Sequence, residues 1–271
     1  MLGKRRRLAR WLSGRGIEIG ALHQPLKLRS NTHVTYVDHL PVEKLREHYP
    51  ELREETLVPV DVIGSAEDLR AFADDSLDFV IANHLFEHLE YPITALLEFQ
   101  RVLRPGGILY LALPDQRRTF DRRRALTSVE HLIEEQREHT AEENRRAHYL
   151  QWAEAAGDHD PEARADALMA IPYSIHFHVW RPDTFLDFLS AVRGEFPVAL
   201  QPIQFAAEEE PEDLEFIVLL AKPDGDEPAL PAHRDGTIND LIFLGNTRLR
   251  DVVRHTPLAP PLRAIKRRLK A

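Results

Sequence analysis

Short apolar runs alternate with helix-like stretches between residues 16 and 115 of this chain. The apolar runs are rich in Val, Ile and Leu and nearly continuous, which is typical of strands buried on both faces of a sheet. Strands are therefore predicted at residues 16–21, 34–38, 57–63, 77–82 and 107–114. The segments VEKLREHYPEL, AEDLRAF and TALLEFQRVL lie between them and have helical spacing. This alternation predicts an α/β fold with a doubly wound, mostly parallel sheet.

After residue 115 the chain becomes polar and helical before it returns to strands. Residues 126–156 are predicted as helix, with a break at 157–163, and SIHFHVW at 174–180 as an irregular or extended segment. A helix follows in RPDTFLDFLSAV, and a last pair of strands is expected at 198–206 and 214–223, which makes seven strands. We therefore expect one domain at 16–222, with a helical or irregular insertion at about 116–180 after the fifth strand. Residues 223–271 are predicted as a Pro-rich linker and a basic tail.

Composition and charge exclude several classes of protein. An apolar content of 43% supports a sizeable core, and the net charge of -9 argues against nucleic acid as a partner. The absence of cysteine excludes disulfides, Cys-ligated zinc and iron–sulfur clusters. The start of the chain lacks the apolar core of a signal peptide, and no stretch approaches the roughly 20 apolar residues of a spanning helix. A cytoplasmic protein is expected.

Basic residues cluster at both ends of the chain, in GKRRRLARWL at 3–12 and LRAIKRRLK at 262–270. Residues 1–15 are predicted as a basic helix that is simply solvated, which is the usual state of a charge run. Weak contact with an anionic membrane surface stays open as an alternative. The pattern gives no indication of the oligomeric state.

Polar and glycine residues follow the first two predicted strands. Ligands of doubly wound sheets bind beyond the carboxyl ends of the strands. Glu18 and Gly20 lie where the first strand ends, and a glycine there allows a tight turn and close approach to a ligand. Asp38 ends the second strand 18 residues later, at the position from which a carboxylate binds a ribose diol. These residues predict a nucleotide-type cofactor site.

The most specific signal lies between Asp61 and Asp115. GSAEDL follows the third strand, DDSLDFVIANHLFEHLEYP spans the fourth, and FQRVLRPGGILYLALPD enters the fifth. In this combination the sequence resembles the class I S-adenosylmethionine-dependent methyltransferases, in particular the methyltransferase 11-like group, over roughly residues 15–222. PDQRRTFD, TSVEHL and SIHFHVW are also similar to a bacterial subgroup met beside glycan-assembly genes. The resemblance implies a Rossmann-like methyltransferase fold, S-adenosylmethionine as cofactor, and O-methylation of a sugar, glycan or related small molecule.

The resemblance also implies which residues contact the cofactor. It matches the first loop to the methionine part, Asp38 to the ribose hydroxyls, segment 65–67 to adenine, and the end of the fourth strand to the transferred methyl. The implied cofactor-binding residues are Glu18, Gly20, Ala21, Asp38, Ser65, Ala66, Glu67, Asn83 and His84.

The first loop departs from the family pattern E/D-x-G-x-G-x-G. Leu22 and Gln24 stand where later glycines are expected, so the loop is predicted to take a less permissive path. A non-catalytic binding or scaffold protein with a degenerate methyltransferase fold is therefore one alternative. An NAD(P)-dependent oxidoreductase would also use Gly20 and Asp38, but the missing glycines and the LRPGG block disfavour it.

The expected chemistry asks for a general base beside the transferred methyl. The sulfonium already activates that methyl, so transfer depends on proximity and orientation. A hydroxyl acceptor needs a His, Asp or Glu to remove its proton. His176 and His178 alternate as in a strand, so both are expected on one face. The candidate catalytic residues are His84, His88, Asp115, His176 and His178.

The stretch NHLFEHLE contains a literal H-x-x-E-H, the pattern of inverted zinc peptidases. That site needs a long helix and a third ligand on another helix. Here the pattern follows a buried strand directly and precedes Tyr91-Pro92, which leaves a turn or two of helix. The stretch is therefore predicted as the edge of a cofactor cleft, with no metal expected. His131, within a charged helix, is expected on the surface.

Overall fold

The computed structural model describes residues 2–171, 173–207 and 213–225. Seven strands form one sheet in the order β3-β2-β1-β4-β5-β7-β6. Neighbouring strands are parallel except at β7, which is antiparallel to β5 and β6. The predicted fold class is confirmed. The strands are β1 (Gly14–Ile19), β2 (Thr32–Asp38), β3 (Val62–Ile63), β4 (Leu77–Asn83), β5 (Leu103–Pro114), β6 (Gln201–Ala206) and β7 (Glu215–Ala221).

Seven α-helices accompany the sheet in the described part of the chain. They are α1 (Leu2–Leu8), α2 (Val42–His48), α3 (Pro92–Val102), α4 (Val129–Glu138), α5 (Ala141–Ala156), α6 (Pro161–Ala170) and α7 (Pro182–Glu195). Ser128 and Asp160 cap α4 and α6 with their side chains, and a proline begins α3, α6 and α7, where a missing N–H costs nothing. Within the described ranges, none of these helices has the length and apolar composition to cross a membrane. The predicted tail beyond residue 225 lies outside the described residues.

Alternate residues of the central strands pack into two separate apolar layers. In β4, Val80 and Ala82 belong to the larger layer, which α3 and α7 complete, whereas Phe79 and Ile81 belong to the smaller one. Because side chains alternate across a strand, an uninterrupted apolar run is what a strand covered on both faces requires. The nearly continuous apolar pattern of the sequence has this physical cause.

The segment AEDLRAF does not form the helix that its spacing predicted. Its backbone groups bond to α3 instead. The N–H of Leu69 donates to Glu98 Oε2 at 2.8 Å, and the guanidinium of Arg101 donates to the carbonyls of Leu69 and Phe72, both at 2.9 Å. These tertiary bonds replace the internal ladder of a seven-residue helix, which is too short to be stable alone. The third strand is also shorter than predicted and keeps two residues.

The basic N-terminal helix is docked on the protein, so the prediction of a simply solvated helix is wrong. Lys4 is 1% exposed, and its Nζ donates to the carbonyl of Glu215 at 2.5 Å. Arg5 binds the Glu215 carboxylate with two bonds of 2.8 and 2.5 Å. Leu8 and Leu12 are buried in the smaller apolar layer. Two of the basic side chains are thus committed to internal partners, as buried cations must be.

Candidate active site

A cavity of about 710 Å³ opens at the carboxyl ends of β1 to β4. Six of the nine residues predicted to contact a cofactor line it: Gly20, Asp38, Ser65, Ala66, Glu67 and His84. They come from four separate strand ends, and the parallel sheet brings these ends together at one edge. Glu18, Ala21 and Asn83 lie outside the lining.

Glu18 is bonded to the first loop but does not line the cavity. Its side chain is fully buried, and both carboxylate oxygens accept the backbone N–H of Leu26, at 2.9 and 3.1 Å. Asn83 Nδ2 donates to Oε1 of the same carboxylate at 3.1 Å. Burial raises the pKa of Glu18 to about 7, although these donors oppose the shift. Glu18 and Asn83 therefore position the loop over the end of β1.

The loop itself contains two residues in the left-handed backbone region. Gly20 has φ +68° and Leu22 has φ +48°. Leu22 stands where the family pattern has a glycine, and it adopts the conformation a glycine would favour, at a cost of about 1–2 kcal/mol for a residue with a Cβ. Its carbonyl accepts the N–H of Val58 at 2.8 Å, which fixes the loop to a distant segment. At Leu22 the loop therefore follows the backbone path that a glycine would take, with strain. The sequence had predicted a less permissive path for this loop.

Asp38 ends β2 on the cavity wall and is 6% exposed. Its Oδ1 accepts the backbone N–H of His39 and lies 2.8 Å from Nδ1 of the same histidine. Both contacts use Oδ1, so among the described residues Oδ2 stays available to a ligand. A buried carboxylate oxygen of this kind fits a pair of ribose hydroxyls.

His84 follows β4 and carries a positive charge at neutral pH. Its Nε2 lies 2.7 Å from Glu215 Oε2 and its Nδ1 lies 3.5 Å from Glu87 Oε1. Burial opposes the charge, but the two carboxylates outweigh it and raise the pKa of His84 to about 9. A protonated imidazole cannot accept a proton, so His84 is unsuited to the role of general base.

His88 lines the cavity and is neutral at the same pH. Burial lowers its pKa to about 4. Its Nδ1 lies 2.8 Å from the carbonyl of Ile175, and because a carbonyl can only accept, Nδ1 carries the proton. The lone pair is then on Nε2. The ring of His176 packs against His88 with centroids 4.8 Å apart, and His176 Nδ1 lies 2.6 Å from Asp121 Oδ2.

Asp115 and His178 lie away from the cavity lining. Asp115 is 1% exposed; it caps the turn at 116–118 and its Oδ2 accepts Arg117 Nη2 at 2.5 Å. His178 is fully buried and its ring packs against His148 and Trp180. The expectation that His176 and His178 share a face is wrong, because 174–180 is not a strand and the two rings enter different clusters.

The remaining cavity wall is aromatic and charged, and the sequence had not singled it out. Tyr49, Tyr91 and Tyr173 line it together with Glu90 and Arg145. Arg145 of α5 binds the Glu90 carboxylate with two bonds of 2.9 Å. In the sequence Arg145 is one of many charged residues in a polar helix, so its position facing the cavity depends on how α5 packs.

Comparisons with known proteins agree with this geometry. The family described as "Methyltransferase domain" matches residues 13–111, which include β1 to β4 and the cavity loops that follow them. Thiol S-methyltransferase TMT1B of Homo sapiens is 41% identical over 49 residues, which are 18% of this chain and 20% of that protein. The match therefore spans about a fifth of the length of the curated relative.

Solved structures of similar proteins extend over most of the chain. A SAM-dependent methyltransferase of Thermotoga maritima, a possible histamine N-methyltransferase, has 18% identity and a TM-score of 0.41, with 78% of this chain and 83% of that chain covered. A SAM-dependent methyltransferase of Methanosarcina mazei has 17% identity and a TM-score of 0.43, with 77% and 92% covered.

Proposed function

We propose that this chain is a class I S-adenosylmethionine-dependent methyltransferase and that it transfers a methyl group to a hydroxyl of a sugar, glycan or related small molecule. The match of residues 13–111 to the methyltransferase domain family supports the proposal. S-adenosylmethionine is the cofactor of this class. The observation that carries the proposal is that one cavity brings together Gly20, Asp38, segment 65–67 and the neutral imidazole of His88. The first group of residues suits the cofactor and His88 suits proton removal.

The residues present fit the cofactor. Gly20 leaves the loop backbone open to close approach, Asp38 has a carboxylate oxygen available for the ribose diol, and segment 65–67 lines the neighbouring wall. When bound, the cofactor supplies a methyl group that its sulfonium has already activated. The protein then has to orient the acceptor, exclude water and take up one proton.

His88 is the residue we assign to that proton. The Ile175 carbonyl accepts from Nδ1 and so fixes the tautomer in which Nε2 has the lone pair. Nε2 would accept the acceptor's hydroxyl proton as the new oxygen–carbon bond forms. His176 would act on the position of His88, since its ring packs against His88 and Asp121 holds it from the other side.

The second wall of the cavity supports a hydroxylated ring as acceptor. Tyrosine rings offer flat apolar faces and hydroxyls, and the Glu90–Arg145 pair offers planar donors and acceptors. Because α5 belongs to the predicted insertion, the proposal includes that the insertion at about 116–180 forms the acceptor side of the site. Thiols are the second acceptor class to examine, because the human relative is a thiol S-methyltransferase.

The first test is calorimetric titration of the full chain with S-adenosylmethionine and S-adenosylhomocysteine. Wild type should bind both, and Asp38→Ala should bind at least about 100-fold more weakly, because two hydrogen bonds to a charged group are lost. Asp187→Ala, an exposed position on α7, is the matched control and should bind as wild type does. Nicotinamide nucleotides should not bind.

The second step is an acceptor screen that follows release of S-adenosylhomocysteine. Nucleotide sugars, free sugars and small thiols are offered in parallel, and turnover with hydroxyl acceptors is the expected result. Turnover with thiols alone would show that the acceptor is a thiol and not a hydroxyl. Failure of well-folded wild type to bind either cofactor form would overturn the proposal and favour the scaffold alternative. Leu22 in the first loop would then be the first position to replace by glycine.

A further inference from the structure

Four side chains from three segments of the insertion meet at a point outside the cavity lining. His131 and Glu135 come from α4, His148 from α5 and His178 from the irregular segment 174–180. One ring nitrogen or carboxylate oxygen of each lies within 4.8 Å of those of the other three. We call these four residues the histidine cluster.

The distances within the histidine cluster fit a single small cation. Glu135 Oε1 lies 3.2 Å from His148 Nε2, and Glu135 Oε2 lies 3.2 Å from His131 Nε2. The ligand atom of His178 is Nδ1, because Nε2 of that ring lies against the carbonyl of Glu90. Ligands about 2.0–2.1 Å from a tetrahedral zinc ion are themselves about 3.3–3.4 Å apart. Two of the distances in the cluster are close to this spacing, and the ligand atoms of all four residues lie within 4.8 Å of one another.

Local contacts hold the side chains of the histidine cluster close together. His131 and Glu135 are four residues apart on α4 and so share one face of that helix. The side chain of Ser128 caps α4 by accepting the N–H of His131 at 3.1 Å, which fixes the first turn. Asn144 Nδ2 donates to Glu135 Oε1 at 3.0 Å, and His178 Nε2 lies 3.4 Å from the carbonyl of Glu90. Contacts of this kind orient metal ligands in many sites.

Two buried polar atoms of the cluster have no hydrogen-bond partner among the described residues. They are His178 Nδ1, in a side chain that is fully buried, and Glu135 Oε2, in a side chain that is 2% exposed and that lies 3.2 Å from His131 Nε2 without forming a hydrogen bond to it. Buried polar atoms in folded proteins are nearly always paired, so an atom without a protein partner is a place where a water or an ion binds. Two such atoms within one cluster of three imidazoles and a carboxylate favour a bound cation at this position.

The protonation states of the cluster suit metal binding. Burial lowers the pKa of His178 to about 3 and also lowers that of His131, so both rings offer a lone pair at neutral pH. Burial alone would raise the pKa of Glu135, but hydrogen bonds from His148 and Asn144 outweigh it and keep the group ionised.

We propose that His131, Glu135, His148 and His178 bind one zinc ion that holds three segments of the insertion together. Three imidazoles and one carboxylate are ligands that zinc accepts, and four protein ligands complete its tetrahedron, so the site is structural. The ion joins α4, α5 and segment 174–180. Glu90 contacts His178 and also pairs with Arg145 on the cavity wall, so the ion supports that wall.

The test measures zinc on the full chain. Protein stripped with a chelator is incubated with zinc, passed through a desalting column and assayed by mass spectrometry of the metal. Wild type should retain one ion per chain, and the double variant His148→Gln/His178→Gln should retain none. His33→Gln/His159→Gln, which removes two exposed histidines, is the matched control and should retain one.

A second measurement keeps the proposal falsifiable if the double variant folds poorly. Zinc at a hundredfold excess over its Kd should raise the Tm of stripped wild type by about 5–10 °C. Cobalt in the same site should show the visible absorption of a tetrahedral complex. Stripped wild type that stays folded, retains no zinc and shows no rise in Tm would overturn the site, as would a folded double variant that retains the ion. These readouts need no S-adenosylmethionine, so their failure is distinct from failure of the proposed reaction.

Discussion

The backbone N–H of Leu26 donates to both carboxylate oxygens of Glu18, at distances of 2.9 and 3.1 Å. Asn83 adds a second donor to the same carboxylate. Because Leu26 and Asn83 both donate hydrogen bonds here, the position favours a side chain with two acceptor oxygens. The loop that carries Gly20 and Leu22 depends on this one buried carboxylate.

Glu18→Gln should weaken both the fold and cofactor binding. The variant turns one acceptor into a donor that faces the N–H of Leu26 or the amide of Asn83. We expect a cost of about 1–3 kcal/mol, and hence a Tm lower by about 2–10 °C. The cofactor Kd should rise at least about tenfold, because the loop is loosened by a similar free energy. Glu43→Gln, an exposed site on α2, is the control, and equal values for both variants would contradict the role assigned to Glu18.

The same residue predicts a dependence of stability on pH. Burial raises the pKa of Glu18 from 4.5 in the unfolded chain to about 7 in the folded protein. Between these values the folded state binds more protons, so the contribution of Glu18 to the free energy of unfolding falls as the pH rises from 4.5 to 7, by up to about 1.4 kcal/mol per pH unit. Urea unfolding of wild type and Glu18→Gln across this range should give converging or crossing curves. Curves that stay parallel would show that Glu18 titrates normally.

Glu215→Gln should lower the pKa of His84 by at least one unit. The Glu215 carboxylate is one of two that raise this pKa to about 9, and Glu87 stays in place in the variant. In wild type the stabilisation from His84 is fully present below its unfolded pKa of 6.5 and is lost as the pH rises through about 9. The imidazole proton resonances report the pKa directly. Arg5→Ala also removes a partner of Glu215, and it controls for loosening of α1.

Substitutions of Leu22 should separate backbone strain from side-chain contacts. Leu22→Val places a β-branched residue at φ +48° and should lower the Tm by about 2–8 °C, or about 1–2 kcal/mol. Leu22→Gly relieves the strain but gives the unfolded chain more freedom, so its Tm should stay within about 2 °C of wild type. Thermal unfolding of both variants checks this. A glycine variant less stable than the valine variant would mean that side-chain packing dominates.

His88→Gln should reduce methyl transfer while leaving cofactor affinity near the wild-type value. Loss of a general base costs about 10²–10⁴ in kcat. Because the pKa of His88 is about 4, wild-type kcat should show no limb near pH 6.5, where an ordinary histidine titrates. Steady-state kinetics and calorimetry on the same preparations test both parts, with His33→Gln as the control. A variant with unchanged kcat would remove His88 from the mechanism.

The sheet could be predicted from the sequence because its signal is local. Five parallel strands are apolar runs with turn residues at their ends, and the parallel arrangement alone puts Gly20, Asp38 and His84 at one edge. The prediction of a helix at AEDLRAF was wrong because the backbone groups of this segment bond to Glu98 and Arg101, about 30 residues away along the chain. Helical spacing in a short segment carries no information about such partners.

The histidines of the insertion were harder to place for the same reason. The expectation that His131 lies on the surface considered α4 alone, but α5 and segment 174–180 cover one of its faces. Its side chain is 33% exposed and its ring lies 5.3 Å from that of His148, centroid to centroid. Each histidine lies in a different segment of the chain, and no periodicity within one segment relates it to the others. Their meeting is a consequence of tertiary packing.

The docking of α1 on β7 has a consequence for synthesis on the ribosome. Lys4 reaches the carbonyl of Glu215 across 211 positions of sequence. Translation is vectorial, so Leu8 and Leu12 are made long before the strand against which their helix is anchored. Throughout that interval a nascent chain carries an apolar and cationic segment without its partner, which is the kind of segment that chaperones bind. β7, which is made about 211 positions after Lys4, thus completes the burial of α1.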